Sequence, residues 1–142
     1  MQGNPNEYVR KAFFDVLNNM VVNTNTIKAY NMRVTGATVP ANYILISTPT
    51  KRQNPYTKCA DRWEVDAVIE IFTTYPSTGN TGSMLLADDI EEQVTNLEET
   101  IILSGGYKIN QRLFVSSDEI ETIGTTTNVF RKILRFNYFL TQ

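Results

Sequence analysis

From Arg62 to Tyr75 the chain reads RWEVDAVIEIFTTY, in which Trp63, Val65, Ala67, Ile69 and Ile71 alternate with Glu64, Asp66 and Glu70. Successive side chains of a strand project to opposite faces, so this period of two specifies a strand with one apolar and one acidic face. It is the skeleton of a half-buried sheet.

The elements around it follow from spacing. Tyr8, Ala12, Phe13, Val16, Leu17 and Met20 recur at three and four, predicting a helix over about 5–20 that starts on Pro5. Leu86, Ile90, Val94, Leu97 and Ile101 predict a second helix over about 83–103, capped by Ser83 and stopped by Gly105-Gly106. Strands are expected at about 28–34, at Asn42–Thr48 and over two pieces, about 107–113 and 120–123. The terminal VFRKILRFNYFLT places Phe130, Leu134, Phe136, Tyr138 and Leu140 on one face, with Arg131, Arg135 and Asn137 on the other. The expected fold is therefore α+β, a mixed or largely antiparallel sheet of about four to five strands with two main helices packed on it. One domain accounts for all 142 residues. A single core would bury roughly two thirds of the unfolded surface.

Composition narrows the chemistry. There is no histidine and a single cysteine, Cys59. That removes the commonest general base and metal ligand, any internal disulfide and any thiolate metal cluster. The glycines Gly79, Gly82, Gly105 and Gly106 stand in neither a Walker loop nor a dinucleotide fingerprint. No cofactor is implied. Apolar runs fall far short of the ~20 residues a membrane-spanning helix requires. The start, MQGNPNEYVRK, lacks the basic and apolar regions of a secretory signal, so the expected place of action is a cytoplasm and no membrane partner is expected.

The net charge of -2 conceals a segregated pattern. Residues 1–62 carry eight bases against three acids, residues 63–107 no base and nine acids, and residues 108–142 five bases against three acids. The acid belt comprises Glu64, Asp66 and Glu70 on the strand, and Asp88, Asp89, Glu91 and Glu92 early in the second helix, where the helix dipole favours them, followed by Glu98 and Glu99. Adjacent helical residues point in different directions, so the four helical acids read as a solvated face rather than a metal cage. Before the long strand lies TPTKRQNPYTKCAD, at about 49–61, either a hairpin loop or a projecting arm. Its Lys51, Arg52, Tyr56 and Lys58 suit contact with an acidic surface of a neighbouring copy, or with nucleic acid through phosphate pairing and stacking.

The block order of helix, strands, long polar loop, long strand with an early Trp, acidic helix and terminal strands resembles the tail-terminator or tail-completion family of bacteriophage neck proteins. The resemblance runs through EYVRKAFFDVL, NYILIST, TKRQNPYTKCADRWEVDAVIEIFTTY, MLLADDIEEQVTNL and FRKILRFNYFL, nearly the whole chain. It implies a structural virion subunit with no catalytic motif, assembled in the host cytoplasm as a ring at the head-tail junction. The implied partners are further copies, portal, adaptor or tail proteins, and double-stranded DNA passing without sequence recognition. Long Asn- and Thr-rich connections and an aromatic terminal strand depart from the long-tailed-phage pattern, so the resemblance takes in terminator, stopper and adaptor stations alike. In such a ring the basic loop (Lys51, Arg52, Tyr56, Lys58) would meet the acidic surface of the next copy. The alternative is a small cytoplasmic nucleic-acid-binding domain using the same loop.

Overall fold

The computed structural model describes residues 4–36, 38–47, 49–53, 62–76 and 82–141. Tyr56, Lys58 and Cys59 lie outside the described residues, as do 77–81, which hold Gly79. Helix α1 (Pro5–Leu17) is opened by Asn4, whose side chain accepts from the Asn6 amide at 3.2 Å. It ends three residues before the expected position. Asn18 is extended, Asn19 turns left-handed at φ 61°, and Met20 already belongs to strand β1 (Met20–Val22). The Asn18 side chain accepts instead from the amide of Ala29, so its local polar capacity is used to leave the helix.

β1 pairs antiparallel with β2 (Asn25–Asn31) across the two-residue turn Asn23-Thr24, both with positive φ. A β-branched residue at φ 69° is strained. Thr24→Gly is therefore expected to stabilise the fold by about 1 kcal/mol, raising the melting temperature by about 3 °C. An unchanged or lower midpoint in calorimetry would contradict this reading of the turn.

β2 runs parallel to β3 (Asn42–Ile46), which lies antiparallel to β5 (Arg62–Pro76). Residues 50–53, expected in a loop or arm, instead form β4 (Thr50–Gln53), also antiparallel to β5. Ile46 faces Ile69 and Thr50 faces Asp66, so four steps on one side match three on the other. β3 and β4 thus lie in line along β5, their registers offset by one residue, with Pro49, which cannot donate to a ladder, just before β4.

Helix α2 (Gly82–Glu98) follows, beginning before Ser83, which therefore lies inside the helix rather than capping it. It stops before Ile101, which packs into the core from the loop beyond. The last third is one hairpin, β6 (Lys108–Ile123) and β7 (Thr127–Thr141), with β6 continuous rather than divided in two. Among the described residues the curled sheet has seven strands in the order β1-β2-β3-β5-β7-β6, with β4 beside β5; this exceeds the expected four to five because β1 and β4 are too short to show a period.

Both helices cover one face. Val9, Phe13 and Leu17 of α1 and Ile90 and Val94 of α2 bury against Val65, Ile69 and Ile71 of β5 and Leu134, Phe136 and Tyr138 of β7. Phe13 lies 5.9 Å from the Phe136 ring and 6.0 Å from that of Tyr138. Trp63 packs on the edge of this core. The opposite face of β5 carries Glu64, Asp66 and Glu70, as the alternation requires.

Candidate assembly surfaces

The register places the basic and acidic residues on neighbouring strands of one chain. Arg52 stands opposite Glu64 and bonds it at 2.8 Å and Asp66 at 3.2 Å. Asn137 of β7 donates to the same two carboxylates, at 3.0 and 2.7 Å. Hydrogen bonds from Arg52 and then Asn137 hold the Glu64 carboxyl below its ordinary value. Lys51 points the other way, bonding the Asn4 side chain at 2.9 Å with its ammonium 5.2 Å from the Trp63 ring centroid. Glu70 is bound by Arg131, whose guanidinium also lies over Phe72.

The helical acids divide. Asp88 and Glu91 turn toward the sheet, where Lys132 of β7 meets them at 2.5 and 2.6 Å and Glu119 of β6 at 2.9 Å. Lys132 occupies an apolar-face position of β7 and is only 2% exposed. Burial works to neutralise its ammonium; the hydrogen bonds it donates to Asp88, Glu91 and Glu119 outweigh that and raise its proton affinity above the ordinary value. No acid lies in the first turn of α2, so the helix dipole does not account for this cluster and Lys132 does. Asp89 accepts from Asn23 of the curled β1–β2 turn at 2.5 Å. Glu92 is exposed, without a cationic partner among the described residues. Among the described residues, no group of three or more acidic or sulfur side chains is placed to hold a metal ion.

At its C-terminus α2 is tied to the hairpin. Arg112 of β6 donates to the backbone carbonyls of Glu98 and Ile101, complementing the negative helix end. The buried Glu98 carboxylate accepts from Tyr138 at 2.7 Å. Burial, and then Glu98, push the Tyr138 phenol far above its usual value, keeping it a neutral donor.

Two further features carried no sequence signal strong enough to find them. β6 ends the sheet, so one side of its 16-residue ladder has no neighbouring strand among the described residues. Leu113, Phe114, Val115, Ile120 and Ile123 are all at least 42% exposed along it. Long apolar edges of this kind recruit further strands unless protected. At the other side of the sheet, a cleft of about 540 Å³ lies between the end of α1 and β2, lined by Phe14, Asn18, Lys28, Tyr30 and Arg33 among others. Lys28 and Arg33 are exposed and have no carboxylate partner among the described residues.

No protein-family model matches the chain, and no curated protein sequence matches it. Among solved structures, a chain of the "Virion of native gene transfer agent (GTA) particle" is similar, with a TM-score of 0.70 and 13% identity over 96% of each chain. At that identity the likeness establishes the fold, over essentially the whole length.

Proposed function

We propose that this chain is a structural protein of a phage-like virion, assembled as a homo-oligomeric ring at the head-tail junction, as tail terminator or neck connector, around the DNA channel. The observation that carries the reading is the fold match over 96% of this chain and of a chain in a gene transfer agent virion. Portal, adaptor or tail proteins are its further partners in the virion, and its work is to hold position rather than to react. The uncovered β6 edge supports assembly, because a protein working alone has reason to blunt such an edge. The outer face supports passage of DNA without grip: Arg52 and Arg131 are already bound to Glu64, Asp66 and Glu70, leaving few free cations for phosphates.

Sedimentation velocity with and without short duplex DNA tests this. The expected result is one large homo-oligomer whose DNA affinity is no tighter than about 10⁻⁴ M at physiological salt. A monomer binding DNA at micromolar concentration, with affinity falling steeply as salt rises, would favour the alternative of a nucleic-acid-binding domain.

A further inference from the structure

The two lateral ends of the sheet are level with each other. Following the registers, Ala29 faces Ile44, Ile44 faces Ile71, Ile71 faces Lys132 and Lys132 faces Glu119, a row of five strands from β2 to β6. At about 4.8 Å per strand the row is about 19 Å wide. The sense of the pairings makes β6 run opposite to β2.

The ends carry complementary chemistry. At the β6 end, Asp118, Glu119 and Glu121 flank the exposed Ile120 and Ile123. One ammonium, Lys132, serves Asp88, Glu91 and Glu119 together, and Asp118 sits 3.9 Å from Arg135, so negative charge is in excess there. At the β2 end, Lys28 and Arg33 border the cleft together with the half-buried Phe14 and Tyr30, which form its apolar rim. β1 pairs only as far as Ile27, so among the described residues no strand covers β2 beyond it on that side.

We propose that the C-terminal half of β6, residues 118–123, docks into the α1–β2 cleft of a second copy of this chain. This rests on the self-assembly proposed above and names its contact. The acids of β6 meet Lys28 and Arg33, Ile120 and Ile123 meet the apolar rim, and the opposing strands approach antiparallel. The contact joins two different surfaces, so every copy keeps one free end of each kind.

Two variants test it: Lys28→Glu with Arg33→Glu, and Ile120→Asp with Ile123→Asp, each confined to exposed side chains and checked for folding by circular dichroism. Each alone is expected to lose self-association by about 100-fold or more, because like charges are brought together or an apolar contact is replaced by a charged one. Mixed in equal amounts, they should form one-to-one dimers and nothing larger, since one intact β6 end meets one intact cleft. Variants that assemble like the wild type overturn this contact while leaving the ring reading standing. Dimers formed by the Lys28/Arg33 variant alone point to β6 pairing with itself and also overturn it. A wild type that stays monomeric up to about 1 mM removes the ring reading and the contact together. Loss of salt-sensitive DNA binding in the Lys28/Arg33 variant, with assembly intact, reassigns the cleft to phosphate.

Discussion

Replacing Lys132 by Met is expected to lower folding stability by about 3 kcal/mol at neutral pH, with much of the loss recovered toward about pH 4. Met fills similar space but leaves Asp88, Glu91 and Glu119 around an apolar tip. Their repulsion raises their proton affinity in the folded variant above that in the unfolded chain. The variant therefore gains stability, relative to wild type, as pH falls through the carboxylate range. In the wild type the sign is the same and the window differs. The Lys132 ammonium is held more tightly folded than unfolded, so its contribution is complete below about pH 10 and fades above it. Urea titrations of both proteins at about pH 7 and about pH 4.5 separate the cases. Equal destabilisation at both values would show that Lys132 acts through packing alone.

Phe13→Ala should cost about 4 kcal/mol. The ring is fully buried beneath α1, against Phe136 and Tyr138 of β7, and its loss leaves a cavity that two helices and a sheet cannot close by small shifts. The damage extends beyond the core. α1 supplies Asn18 to the Ala29 amide and Phe14 to the cleft wall, and Asn4 at its start holds Lys51. Weakened α1 docking should therefore reduce self-association at protein concentrations and temperatures where the variant is still folded. Phe13→Leu, which keeps most of the volume, should cost about 1.5 kcal/mol and spare assembly. A Phe13→Ala variant as stable as wild type would contradict the assigned packing.

The long β5 and β7 and the stripe of α2 were legible because each buries a continuous face, and burial imposes a period. Where burial is one-sided or brief, the period fails. β6 is an edge strand whose C-terminal half, containing SSDEIET, is exposed on both faces, so nothing enforces alternation and its polar run looks like a gap. β4 hides because Thr50–Gln53 is polar and Pro49 precedes it, yet it lies in line with β3 along β5 with its register offset by one residue. α1 was overextended because Met20 fits the helical stripe, while the signal that ends the helix is a long-range bond from Asn18.

The charge segregation was visible in the chain, but its use was not. Partners such as Asn137 and Glu64, or Lys132 and Glu91, are 73 and 41 residues apart, and only the register brings them together. Arg52 and its acids are joined within one chain. Lys28 and Arg33 lie on the β2 side, and β6 carries the complement.

Electron microscopy of the purified protein tests the central claim most directly. Class averages should show closed rings of one uniform copy number with a central opening and rotational symmetry. Twofold dimers, open filaments or isolated monomers as the sole species would contradict it.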